Sequence, residues 1–123
     1  MTRFLLVCAA GAAGTGCRYL VALGLAARVP TFPIATLIVN LVGCFLIALV
    51  AQLALSAPSF SDHLRVVLMT GFMGGLTTYS AFNQEATKLL GSAPRTGALY
   101  VAVTLLGCFA CGLAGTWLAR RIV

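Results

Sequence analysis

The stretch GFMGGLTTYSAF, residues Gly71–Phe82, decides the fold of this 123-residue chain. It lies inside a segment apolar enough to enter a membrane, yet it contains three glycines and a Thr-Thr pair. Glycine and threonine weaken an α-helix, so the stretch predicts that the helix is interrupted here. Backbone groups left unpaired at membrane depth must be buried in protein or bind a ligand. The sequence therefore predicts an ion site at the interruption, as in the broken helices of transporters and channels.

The composition makes the chain an integral membrane protein. Hydrophobic residues make up 61%, charged residues 8%, and the mean hydropathy is +1.06, which leaves too little polar surface for a water-soluble globule. We expect an all-α fold with one transmembrane domain, residues 1–123. Its four helices are expected at about 3–27, 33–55, 62–90 (with a break near 71–78, in mid-membrane) and 97–120. The connections are too short for a soluble domain, so an enzyme is not expected and function requires an oligomer.

The basic residues predict how the chain inserts. Four helices place both termini on one side of the membrane, and the two sides then carry nearly equal positive charge. The residues concerned are Arg3, Arg65, Arg120 and Arg121 on one side and Arg28, Lys88 and Arg95 on the other. Because this charge balance sets orientation, it predicts insertion both ways up and an antiparallel homodimer. The net charge of +6 does not indicate nucleic-acid binding, since single basic residues near span ends suit anionic lipid headgroups.

The five cysteines all fall within expected spans, and an odd number does not suggest a disulfide framework. Cys108 and Cys111 form a C-x-x-C pair, but no second pair accompanies it. Small residues for helix packing are therefore a better interpretation than zinc or redox chemistry.

Several polar residues lie where hydrocarbon is expected. Asn40, with Thr36 one turn before it, either bonds to a neighbouring helix or offers its amide to a ligand. Arg18 either reaches the membrane surface or places a positive charge beside an anion route. Glu85 lies near the end of a span and close in sequence to Lys88 and Arg95, which favours an interfacial salt bridge or a helix-end charge.

The last span carries a polar stripe. Tyr100, Thr104 and Cys108 recur every four residues and share one helix face. The stripe lines a solvated track or makes hydrogen bonds between helices, and the spacing does not distinguish the two.

The chain resembles the small fluoride channels called Fluc or CrcB proteins. Gly71–Phe82 is similar to their signature G-F-x-G-G-x-T-T-F-S-T-F, with Tyr79 in place of Phe and Ala81 in place of Thr. Two further motifs agree in order along nearly the whole chain, GAAGTGCRY from Gly11 to Tyr19 and ATLIVNLVGCF from Ala35 to Phe45.

The resemblance implies a channel that lets fluoride leave the cell passively and protects it from fluoride toxicity. It implies an antiparallel dual-topology homodimer with two pores in a bacterial inner or plasma membrane. A structural Na⁺ at the dimer interface would be held by the backbone carbonyls of Gly74 and Thr77. The residues implied for the fluoride pore are Arg18, Thr36, Asn40, Tyr79, Ser80, Phe82, Tyr100, Thr104 and Cys108.

Two other functions fit a small four-helix protein. A proton-coupled multidrug exporter is also a dual-topology dimer, but it needs a carboxylate deep in the membrane, whereas Asp62 and Glu85 lie near span ends. A non-conducting membrane assembly subunit would have no use for a broken helix or an aligned polar stripe.

Overall fold

The computed structural model describes residues 1–26, 31–56 and 60–122, with Ala26 described by its backbone only. Arg28, the expected helix end at residue 27 and parts of the first two connections lie outside the described residues.

Three helices are long and apolar enough to cross a membrane: α1 (Thr2–Ala26), α2 (Ile34–Ser56) and α6 (Pro94–Ile122). Pro33 precedes α2, and Pro94 opens α6, where the first turn of a helix does not need the N–H that proline lacks. The described residues form helices without any strand, so the expectation of an all-α membrane protein is confirmed.

The remaining segment, between α2 and α6, is built from shorter pieces and is called the third segment. It contains α3 (Asp62–Val66), a π-helical segment (Val67–Met73), α4 (Gly74–Leu76) and α5 (Tyr79–Ser92). Ser61 caps α3 by accepting a hydrogen bond from the Leu64 N–H at 3.2 Å. Thr77 and Thr78, between α4 and α5, are extended.

The glycines of the signature have a different role from the one expected. Gly71, Gly74 and Gly75 are all helical, and no described glycine has a positive φ. A Cβ at Gly75 would collide with the Gly11 carbonyl oxygen, and one at Gly71 would lie 2.8 Å from the Val7 carbonyl oxygen. The glycines therefore allow α1 to pack backbone against backbone on the third segment, and the helix is interrupted only after them.

A second close helix pair is formed by α2 and α6. A Cβ at Gly115 of α6 would collide with the Phe45 carbonyl oxygen of α2. Gly43 of α2 makes a separate close contact, because a Cβ there would collide with the Thr77 methyl group at the interruption.

Two buried clusters fill the interior, one of Leu37, Phe82, Ala86 and Tyr100 and the other of Val39, Met73 and Leu76. Both clusters join α2 to the residues around the interruption.

The outer surface is apolar. Phe4 is 67% exposed, Phe109 70% and Trp117 59%, and these lie on the first and last helices. Large apolar side chains facing outward suit contact with lipid tails, and with the three spanning helices they make the chain a multi-pass membrane protein.

Replacing Gly14 tests the close helix contact. A Cβ there would collide with the Phe72 carbonyl oxygen, so Gly14→Ala should lower the free energy of unfolding in detergent by roughly 1–3 kcal/mol. Gly24→Ala on the same helix is the control, because no atom of the described residues would lie within 4 Å of its Cβ. Equal thermal stability of the two variants would contradict the contact.

Candidate functional site

The interruption consists of two extended residues. Thr77 has φ −87° and ψ 154°, and Thr78 has φ −150° and ψ 112°. The Thr78 hydroxyl then accepts a hydrogen bond from the Ala81 N–H at 3.2 Å, which caps α5. The helix thus stops after Leu76 and starts again with its own N-cap two residues later.

Asn40 of α2 holds the interruption. Its Oδ1 accepts from the Thr78 N–H at 2.8 Å, and its Nδ2 donates to the Thr78 carbonyl at 3.1 Å. Asn40 is 8% exposed, so these bonds satisfy backbone groups with little access to solvent. Of the two uses that the sequence leaves open for Asn40, the structure shows the bond to a neighbouring segment.

The interruption leaves the carbonyls just before it without their helical donors, and those of Gly74 and Thr77 are among them. In a continuous α-helix the Thr78 N–H would bond to the Gly74 carbonyl and the Ala81 N–H to the Thr77 carbonyl. Those donors bond instead to Asn40 Oδ1 and to the Thr78 hydroxyl. The Gly74 and Thr77 carbonyls, which the resemblance implies as sodium ligands, are therefore among those released from the helical pattern.

A cavity of about 310 Å³ adjoins the interruption and is called the central cavity here. It lies between α2, the interruption and α6. Its lining comprises Asn40, Gly43, Cys44, Ile47, Met73, Thr77, Thr78, Tyr79, Phe82, Thr104, Leu105 and Cys108.

One polar group in this lining has no partner. The Thr104 hydroxyl is buried and makes no hydrogen bond within the part of the chain that the structure describes. An unpaired buried hydroxyl costs free energy, so it is a natural place for a ligand that accepts a hydrogen bond.

Aromatic rings form a row beside the cavity. The ring centroids are 5.6 Å apart for Tyr79 and Phe82, 5.4 Å for Phe82 and Tyr100, and 5.3 Å for Tyr100 and Phe32. Phe82 is 6% exposed but Tyr79 is 74% exposed, so the cavity reaches the protein surface at Tyr79. Ring edges carry partial positive charge and can contact an anion.

A second cavity, of about 410 Å³, lies beside the N-terminal end of α2 and is called the end cavity. Thr36, Glu85 and Lys88 are among its lining residues. The Glu85 carboxylate accepts hydrogen bonds from the Thr36 hydroxyl and the Tyr100 hydroxyl, both at 2.8 Å. These bonds tie α5 to both α2 and α6.

Of the two interpretations of Glu85, the salt bridge with Lys88 or Arg95 is not formed among the described residues. Among the described residues the ion pair present is Arg65 with Asp62, at 3.1 Å. Sequence reasoning missed the contact of Glu85 with Thr36 and Tyr100. The available signal was its spacing from Phe82, since residues three apart share a helix face.

The structure brings most of the implied pore residues to two places. Asn40, Tyr79, Phe82, Thr104 and Cys108 line the central cavity, whereas Thr36 lines the end cavity and Tyr100 bonds to Glu85 beside it. Ser80 is exposed and bonds to the Thr78 hydroxyl. Arg18 is half-buried on α1, lines neither cavity and makes no hydrogen bond or ion pair within the described ranges.

These features place the chain among small helical membrane proteins, with a cavity beside two extended residues that separate two helices. Residues 5–116 match the family model described as "CrcB-like protein, Camphor Resistance (CrcB)". The chain therefore belongs to the CrcB family, and the resemblance seen in the sequence is confirmed.

Curated relatives match over nearly their whole length. A protein of Anaeromyxobacter dehalogenans is 44% identical over 98% of this chain and 97% of its own. A protein of Chlorobaculum tepidum is 46% identical over 98% of this chain and 96% of its own. Both are named "Fluoride-specific ion channel FluC". The family is one of bacterial membrane ion channels, and the chain is not an enzyme.

Removing the Asn40 side chain tests its support of the interruption. Asn40→Ala leaves the Thr78 N–H and carbonyl unpaired, and each unpaired buried group costs about 1–3 kcal/mol. The midpoint of thermal unfolding in detergent should fall clearly. Gln52→Ala, which loses one exposed bond to Ser56, serves as the control and should change little. An Asn40→Ala protein as stable as the control variant would refute the support.

Proposed function

We propose that the chain is a fluoride-selective channel that lets fluoride leave the cell passively and so protects it from fluoride toxicity. The observation that carries the proposal is the buried Thr104 hydroxyl, which has no hydrogen-bond partner among the described residues and lines the central cavity together with Phe82. The two relatives named as fluoride-specific channels supply the choice of anion.

Fluoride is small and holds its water tightly, so a pore must replace that water with hydrogen-bond donors. Thr104 offers its hydroxyl, and Asn40 offers the second N–H of Nδ2, because only one is used on Thr78. Both donors are neutral. They bind an anion without the strong attraction of a fixed positive charge, which would slow its release.

Weaker contacts are proposed to line the rest of the path. The ring edges of Phe82 and Tyr79 attract an anion weakly, and the Cys108 thiol is a poorer donor than the hydroxyl of Thr104. The hydroxyl of Tyr79 adds a donor at the surface end of the cavity, where family members commonly have Phe. Ion conduction requires binding sites that are weak enough to empty again.

The end cavity is proposed as one mouth of the path. Lys88 and Glu85 both line this mouth, so one positive and one negative charge stand at its edge. Thr36 and Tyr100 bond to Glu85, which keeps its carboxylate at the mouth and away from Thr104. Arg18 and Ser80 line neither cavity, so they are proposed to contribute only where a second copy completes the path.

We propose that two copies assemble as an antiparallel homodimer with two pores. The balanced basic residues support insertion in both orientations. The exposed Gly74 and Tyr79 give the interruption an open side that a partner would cover. The third segment, crossing the membrane as one broken span, would then meet its own copy.

The same interface is proposed to hold a structural Na⁺. The carbonyls of Gly74 and Thr77 fit such a site, because their helical donors are used elsewhere. Two carbonyls from one chain replace few of the waters of a cation, whereas two chains provide four. The ion would supply fixed positive charge and join the two copies.

Flux measurements separate this function from its rivals. Purified protein in liposomes should release fluoride down its gradient, measured with a fluoride electrode, and should release little chloride. A proton-coupled exporter would instead need a proton gradient, and an assembly subunit would release neither anion. Absence of fluoride release from protein that stays folded and dimeric would refute the proposal.

Thr104→Val distinguishes a ligand from a merely structural residue. Because the hydroxyl has no partner, its loss should leave the stability unchanged or raised, while fluoride flux falls about tenfold or more. Thr116→Val is the control, since Thr116 does not line the central cavity. Normal flux through Thr104→Val would remove this residue from the path.

Removing sodium tests the proposed cation site. Exchange of Na⁺ for N-methylglucamine should lower the free energy of unfolding of the dimer. The decrease should be about 2.7 kcal/mol if sodium had been present at a hundred times its Kd. The stability of Asn40→Ala, in which the interruption has lost its support, should depend less on sodium. Identical unfolding curves of the wild-type protein in both cations would argue against a bound Na⁺.

A further inference from the structure

The five cysteines occupy two kinds of environment. Cys8 and Cys17 are exposed on α1, whereas Cys44 of α2 and Cys108 and Cys111 of α6 are half-buried. Cys44 and Cys108 both line the central cavity. They also both line a neighbouring cleft of about 310 Å³ between α2 and α6. Two cysteines from two different helices therefore line the same two spaces.

The helices approach closely at this level. A Cβ added at Gly112, one turn after Cys108, would lie 3.9 Å from the Cys44 carbonyl oxygen. A Cβ added at Gly107 would lie 2.8 Å from the Leu41 side chain. Cysteine side chains are short, so only closely packed backbones bring two of them to one cavity wall. Met73, whose thioether is also a soft ligand, lines the central cavity as well.

We propose that Cys44 and Cys108 form a two-thiol site for a soft divalent cation that accepts linear coordination, such as Hg(II), and that an ion bound there blocks the central cavity. On binding, two S–H bonds break, two protons leave to water and two S–Hg bonds form. A divalent ion with two thiolates is neutral overall, so it suits an apolar wall where a net charge would be costly.

The chemistry selects a soft ion rather than a hard one. No group of three His, Cys, Asp or Glu side chains gathers among residues 1–26, 31–56 and 60–122, so a tetrahedral zinc site is not formed by the described residues. Two thiols are enough for a linear d¹⁰ cation. Inhibition of fluoride flux by the bound ion rests on the proposed function, because the central cavity is the proposed fluoride path.

Binding is tested first, without any flux. The background protein carries Cys8→Ser, Cys17→Ser and Cys111→Ser, so that Cys44 and Cys108 are its only thiols. Mercuric nitrate in chloride-free buffer should give an ultraviolet thiolate-to-mercury band that saturates at one ion per chain, with release of two protons. Adding Cys44→Ser should weaken binding by at least about tenfold, or 1.4 kcal/mol. A band that survives this change, or one ion bound to each single thiol, overturns the site.

Flux is tested second, on the same proteins in liposomes. Mercuric ion should inhibit fluoride release by the background protein, dithiothreitol should restore it, and Cys44→Ser should need about tenfold more mercury, each variant being compared with its own uninhibited rate. If Cys44→Ser does not fold, Cys44→Ala replaces it. Equal inhibition with and without Cys44 overturns the block. Mercury binding to a folded protein that never releases fluoride would refute the proposed function and leave the site intact.

Discussion

The pair of hydrogen bonds between the Asn40 amide and the Thr78 peptide is the contact on which the rest of the site depends. An extended peptide inside an apolar protein has an N–H and a carbonyl that no helix satisfies, and each would cost free energy if left unpaired. One asparagine satisfies both, at 2.8 and 3.1 Å. By taking the Thr78 N–H, it also releases the Gly74 carbonyl from helical bonding. The contact that stabilises the interruption thus leaves the Gly74 carbonyl free of its helical hydrogen bond.

Close packing of the backbones makes that contact possible. Gly71 and Gly75 let α1 lie against the third segment, and Gly43 leaves room for the methyl group of Thr77 beside α2. Larger residues at these positions would push the interruption away from Asn40. The glycines therefore contribute to the site by keeping the helices close enough for Asn40 to reach Thr78, although they carry no polar side chain.

The polar groups that line the central cavity are neutral, and they stand beside apolar and aromatic side chains. The Glu85 carboxylate lines the end cavity instead, bonded to the hydroxyls of Thr36 and Tyr100. A carboxylate accepting two such bonds is fixed in position and partly compensated. The same neutral wall contains the Cys44 and Cys108 thiols, which are weak donors toward an anion but strong ligands for a soft cation.

The sequence by itself determined the membrane class, the helical fold and the family. Long apolar runs have few alternatives to crossing a membrane as helices, and the Gly71–Phe82 motif is specific. Sequence also singled out Asn40 and Thr104, since polar residues stand out in apolar helices, and the resemblance singled out Phe82. Only the tertiary structure decided that the interruption falls at Thr77 and Thr78, because the glycines remain helical where α1 packs on them. It also decided the partners of Glu85 and the position of Arg18. The partners of Asn40 and Glu85 lie on other helices or segments, 15 to 49 residues away along the chain, and helical periodicity carries no information about contacts at that separation.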